Sequence, residues 1–152
     1  MDFGVKIMKL QIKKVRENGK VPQRATSGSA GLDLCAAIDE PITLKGGETA
    51  LLPTGIAIAL PSAEYGAFVF ARSGLAVKHG IGLLNSVGVI DSDYRGEIMV
   101  GIINQIDEEY TVQPGERIAQ MVIMPVSMMP AVEVEELSET ERGDGGFGST
   151  GK

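Results

Sequence analysis

Apolar residues recur at every second position along much of this chain. Met8, Leu10 and Ile12 interleave with Lys9, Gln11 and Lys13, the pattern of a strand with one wet face. Leu32, Leu34 and Ala36 alternate with Asp33, Cys35 and Ala37 in the next candidate. Further strands fit Gly55–Leu60, Tyr65–Ala71, Gly96–Ile103 and Arg117–Pro125, the last with Ile118, Gln120, Val122 and Met124 expected on one face. Turn signals separate them at Pro41, Gly46-Gly47, Pro53, Pro61 and Pro114-Gly115, a spacing that predicts an all-β sandwich or barrel. Helical character is confined to Ser73–His79, with Ser73 as the expected N-cap.

Composition narrows the class. A length of 152 residues predicts one domain, and an apolar content of 43% with only 5% aromatics and no Trp predicts an aliphatic core. No apolar run reaches the roughly eighteen residues that a bilayer span needs. The N-terminal segment lacks a continuous apolar signal region and Cys35 is the only cysteine, so a cytoplasmic protein without disulfides is expected. A net charge of −6 argues against a nucleic-acid polymer as partner. Charge is unevenly placed: half of the 14 lysines and arginines precede Ala25, while Glu133, Glu135, Glu136, Glu139 and Glu141 crowd one late segment. Both clusters read as solvated surface, and the acidic run suits an extended linker.

Beyond that linker lies a tail, residues 142–152, that cannot build a core. It offers Arg142 for phosphate charge, Phe147 for stacking on a base, and glycines whose amides can approach phosphate oxygens. Glycine is costly to order, so the expectation is a mobile lid that a ligand fixes, set against a plain disordered tail. Gly146–Lys152 nearly matches a phosphate-binding P-loop, but the magnesium-holding hydroxyl and the following helix are both missing, which excludes that reading.

Four internal stretches break the strand pattern. Ala30-Gly31-Leu32-Asp33-Leu34 sets a carboxylate in an apolar strand, which calls for a partner, water or a metal unless Asp33 merely forms a turn. Ala71-Arg72-Ser73-Gly74-Leu75-Ala76 brings a guanidinium, a hydroxyl and helix-start amides together, a phosphate-holding combination or an ordinary capped helix. The stretch from Gly88 to Gly96 reads as a hairpin, with Asp91 placed to act as a general base and Tyr94 to pack under a sugar or base; Asp93 reads equally as a turn residue. In Gly115-Glu116-Arg117-Ile118-Ala119-Gln120, Gln120 is a neutral amide among apolar neighbours and needs a partner. His79 and Cys35 read as structural residues.

Taken together, AGLDL, ARSGLA, GVIDSDYRG, GERIAQ and RGDGGFGSTG, in this order, resemble the five motifs of the homotrimeric dUTP diphosphatase (dUTPase) family, over Ala30 to Gly151. The resemblance implies a distorted jelly-roll (β-clip) domain over residues 1–141, a mobile lid over 142–152, and a trimer with active sites between subunits. It implies hydrolysis of dUTP to dUMP and diphosphate, which limits uracil in DNA and supplies dUMP for thymidylate synthesis. Asp91 would activate the water, and Asp33 would order waters around a Mg2+ held mainly by the substrate phosphates. Arg72, Ser73, Gly74 and Gln120 match phosphate-binding positions. The segment from Asn85 to Met99, with Gly88, Val89 and Ile90, matches the uracil and deoxyribose pocket, and Tyr94 would exclude a 2′-hydroxyl. Phe147 would cover the uracil while Arg142, Gly148 and Ser149 meet the phosphates. No membrane partner is implied. Two rival readings remain open: a dCTP deaminase or bifunctional member of the same superfamily, and a nucleotide-gated binding module.

Overall fold

The computed structural model describes residues 8–146, and the sheet architecture follows from the alternation just described. In chain order the elements are β1 (Gln11–Lys14), β2 (Leu32–Cys35), β3 (Ile42–Leu44), β4 (Thr49–Pro53), β5 (Ile56–Ala59) and β6 (Tyr65–Phe70), then the helix α1 (Ser73–His79), then β7 (Ile81–Leu83), β8 (Gly88–Ile90), β9 (Met99–Asn104), β10 (Tyr110–Val112) and β11 (Arg117–Pro125). Every pairing between them is antiparallel. A four-stranded sheet runs β2-β11-β6-β8, a three-stranded sheet runs β4-β9-β7, and two ribbons pair β1 with β5 and β3 with β10. This is a jelly-roll-like arrangement, nearly all β, with one short helix.

The core lies between these sheets. Leu34, Leu52, Ile56, Ile102 and Met121 are among its fully buried side chains, and truncating any one to Ala costs roughly 2–5 kcal/mol. Two polar residues share that interior. Thr54 donates its hydroxyl to the Ile98 carbonyl (2.7 Å), and Asn104 donates to the Leu44 and Glu108 carbonyls (3.0 and 2.7 Å). Each is satisfied, so neither carries the penalty of an orphaned buried dipole.

Several expectations are corrected by the tertiary pairing. The strands β3, β4, β7 and β10 were not expected; Ile81–Leu83 is buried at all three positions and shows no alternation to read. The first strand starts at Gln11, although Leu10 packs on the core. Ser73 is not the N-cap: Arg72 holds that position and no side chain caps the helix. The stretch from Gly88 to Gly96 is not a hairpin, because β8 pairs with β6 while β9 pairs with β4 and β7. It is a corner between two sheets. Finally, a register shift between Arg117 and Ala119 sends Ile118 and Ala119 both into the core. Gln120, Val122 and Met124 therefore share a less buried face that Ile118 does not join.

Candidate active site

The central strand β11 places Gln120 opposite Asp33 of β2 on one side and Phe70 of β6 on the other. That register draws three of the sequence stretches together. Asp33, Arg72, Ser73, Gly74 and Gln120 line one cavity of about 180 Å³, along with Ala25, Ser29 and Gly31. The amide of Gln120 donates to the Ala71 carbonyl (3.0 Å), which fixes it across the end of β6. Gly31 leaves room for this placement: a Cβ there would stand 2.6 Å from the Gln120 Oε1, so the amide would have to shift. The open space in front of Gly74 and the exposed Ser73 leave the helix start accessible to an oxygen-rich ligand.

The expected partner of Asp33 turns out to be double. Arg72 Nε approaches one carboxylate oxygen and Arg117 the other, both at 3.1 Å, and Arg72 also donates to the Arg117 carbonyl (3.1 Å). Arg117 was not singled out as a site residue. A lone exposed cation at the start of a strand looks like ordinary surface in sequence, and only the β2–β11 register brings it to Asp33. Asp33 offers a single carboxylate, and among the described residues no group of three or more His, Cys, Asp or Glu could hold an ion. That donor set fits a magnesium ion carried largely by substrate phosphates and reached through water.

A second cavity, of about 260 Å³, opens at the corner between the sheets. It gathers Asn85, Gly88, Val89, Ile90, Asp91, Tyr94 and Met99, with Val69, Leu83, Glu97, Ile98, Val100 and Gly101 as further lining. Walls of this kind, apolar with a few polar groups, suit a flat ring. Asp91 sits exposed at the end of β8, and its carbonyl accepts the Tyr94 amide (3.2 Å) to close the turn. The Tyr94 hydroxyl donates to the Glu97 carbonyl (3.0 Å) and its ring lies over Gly96, where a Cβ would come 2.3 Å from the hydroxyl oxygen. Arg95 donates to the Ser92 and Tyr94 carbonyls (2.7 and 2.9 Å), stapling the turn further.

The structure does not bring Arg142 to either cavity; its Nε donates to the nearby Gly145 carbonyl (2.8 Å). Phe147, Gly148 and Ser149 lie outside the described residues. Two groups sequence reasoning set aside have identifiable surroundings. Burial raises the Cys35 thiol above its ordinary value, which disfavours the thiolate. His79 packs its ring on Tyr110 at 4.9 Å, and burial together with a hydrogen bond to Glu116 pushes the Tyr110 phenol up to about 12. Both fit structural parts.

The dUTPase family model matches residues 17–151, and the chain belongs to that family. It is 55% identical over 146 residues to a deoxyuridine 5′-triphosphate nucleotidohydrolase of Desulfitobacterium hafniense, covering 95% of this chain and 97% of that one. The corresponding Fusobacterium nucleatum protein is 52% identical, with 95% and 99% covered. Among solved structures, the dUTPase of Staphylococcus bacteriophage 80alpha with dUpNHpp superimposes with a TM-score of 0.86 at 30% identity, over 95% and 99% of the two chains. A mutant dUTPase from phage phi11 of S. aureus, described with a coordinated structural Mg(II) ion, gives 0.77 at 25% identity over 86% of this chain and 99% of that one.

Proposed function

We propose that this chain hydrolyses dUTP to dUMP and diphosphate, with the two cavities dividing the substrate between them. The observation that carries this reading is the convergence of Asp33, Arg72, Ser73, Gly74 and Gln120, drawn from three distant stretches, into one polar cavity on a sheet whose edge strand β8 leads into the apolar one. Uracil and deoxyribose occupy the corner pocket. There the backbone of Gly88, Val89 and Ile90 and the side chain of Asn85 read the base edge, and Met99 bounds it. Tyr94 packs against the sugar and leaves no room for a 2′-hydroxyl.

Asp91, at the mouth of that pocket, takes a proton from water as the water oxygen attacks the α-phosphorus. The new P–O bond forms as the bond from that phosphorus to the bridging oxygen breaks, and diphosphate leaves with the bridging oxygen. Arg72, Ser73, Gly74 and Gln120 hold the phosphate oxygens as charge shifts toward the leaving group. Asp33 would hold a magnesium ion through water, and that ion, when bound with the phosphates, would supply further neutralisation of their charge. Arg142, Phe147, Gly148 and Ser149 close over the bound nucleotide and exclude solvent.

A homotrimer with shared sites follows the same logic. After β11 the chain from Val126 onward carries Met128, Met129, Val132, Val134 and Leu137 at between 56% and 87% exposure. Such a series of apolar side chains is costly to leave in water and suits burial against another subunit. The tail beyond it then reaches a neighbour's site in place of its own.

The test is diphosphate release from dUTP and from dCTP, with ammonia measured in parallel. Diphosphate from dUTP alone supports the reading. Ammonia from dCTP moves the chain to the deaminase reading, and tight dUTP binding without either product moves it to the binding-module reading.

A further inference from the structure

Glu97 stands at a junction that the reaction scheme does not use. Its carboxylate accepts three hydrogen bonds, from Arg16 Nε (2.6 Å), from the second Arg16 nitrogen (3.0 Å) and from the Gly55 amide (2.8 Å). Its carbonyl accepts the Tyr94 hydroxyl. One residue thus ties the sugar-facing aromatic to a fork of Arg16, 81 positions away in sequence. A bidentate guanidinium–carboxylate pair fixes direction as well as distance, which a lysine does not.

The other end of the tie is equally anchored. The Gly55 carbonyl accepts the amides of Val15 and Arg16 (2.8 and 3.3 Å), and Gly19 lies so close that a Cβ on it would stand 2.3 Å from the Gly55 oxygen. On the next residues, the Ile98 amide donates to Ile56 (2.8 Å) and the Ile98 carbonyl accepts from Thr54. The segment leaving β1, the turn before β5 and the approach to β9 therefore meet at Glu97. The Glu97 side chain is only 19% exposed and lines the base pocket, whereas Arg16 is on the outer surface at 47%.

We infer that Arg16 is a positioning residue for sugar selection: through Glu97 it holds the Tyr94 ring at the distance that separates dUTP from UTP. The inference rests on the role given to Tyr94 above. Arg16 touches no cavity of the reaction scheme, so its removal leaves the phosphate cradle and Asp91 in place.

The experiment measures kcat/KM for dUTP and for UTP in the wild type, Arg16→Ala, Arg16→Lys, Tyr94→Ala and the double variant, with folding checked by thermal melting. Arg16→Ala lowers the dUTP-to-UTP preference by about fivefold, through a gain with UTP and not a general loss, and Arg16→Lys falls between it and the wild type. In the Tyr94→Ala background, Arg16→Ala produces no further change in that preference, because the ring it positions is gone. An unchanged ratio in Arg16→Ala alongside a lowered one in Tyr94→Ala overturns the role of Arg16 and leaves that of Tyr94 standing. An unchanged ratio in Tyr94→Ala overturns both. Equal proportional losses with dUTP and UTP in Arg16→Ala mark a merely structural contact and also overturn the inference.

Discussion

The base pocket and the phosphate cradle are built on opposite principles. The pocket is a preformed apolar recess at a corner between sheets, and two of its polar residues hold its own shape: Tyr94 bonds to Glu97, and Glu97 to Arg16. The cradle is polar and closed on itself, with Asp33 engaged by both Arg72 and Arg117 before any ligand arrives. On the proposed reading, a flat ring would enter the first by displacing water, and a triphosphate would compete for Arg72 with the carboxylate that already engages it. The first region would then select by shape and the second by exchange of charge.

The largest effect expected falls at Asp91, on the lining of the corner pocket. Asp91→Asn keeps the size of the side chain but removes the proton acceptor, so turnover drops roughly a hundredfold to ten-thousandfold while dUMP still binds. Rapid-quench measurement of diphosphate checks this, and near-normal turnover would remove Asp91 from the role of base. Deleting residues 142–152 is expected to leave a folded trimer with kcat reduced at least about tenfold, because the phosphates stay open to water. A truncated protein with full kcat would contradict the lid.

Salt separates the two regions directly. Raising ionic strength from about 0.1 M to about 1 M shortens the screening length from about 10 Å to about 3 Å. The KM for dUTP should then rise several-fold, while inhibition by deoxyuridine, which uses the base pocket alone, stays nearly constant. If both change alike, the division of labour is wrong. A narrower probe is Gly31→Ala, whose Cβ would meet the Gln120 amide oxygen at 2.6 Å and push it off the Ala71 carbonyl. A rise of about twofold to fivefold in KM for dUTP, with deoxyuridine inhibition unchanged, is the expected result.

The smallest effect concerns acid stability at the pocket rim. The Arg16 fork holds the Glu97 carboxyl below its ordinary value of 4.5. A depressed carboxyl contributes stability above the unfolded-state value and loses it as pH falls through the lower folded value. Thermal melting between about pH 5 and pH 3 should therefore fall more steeply in the wild type than in Arg16→Ala. Parallel curves would show that the pair contributes nothing to stability.

Much of the architecture was legible because alternation is a local property. Arg117–Pro125 and Ser73–His79 coincide with the strand and helix read from the residues alone, and Tyr65–Phe70 differs by one position. The three-residue strands escaped notice because Ile81–Leu83 and Ile42–Leu44 are too short to display a period. Ile118 was assigned to the wrong face because a bulge adds a residue to one strand without leaving a mark in its pattern.

What the amino-acid sequence determined by itself was the all-β class and the family, and it named candidate side chains for a phosphorylated flat ring. The class follows from the two-residue repeat and the candidate side chains from residue type, while the family came from the resemblance of five short motifs in order. Tertiary structure alone decided that Gly88 to Gly96 is a corner and not a hairpin, that Asp33 is shared by Arg72 and Arg117, and that Arg16 reaches Glu97. Each depends on strand register between segments tens of residues apart. Register is set by how whole sheets bury their apolar faces together, a collective quantity that no local window of the chain contains.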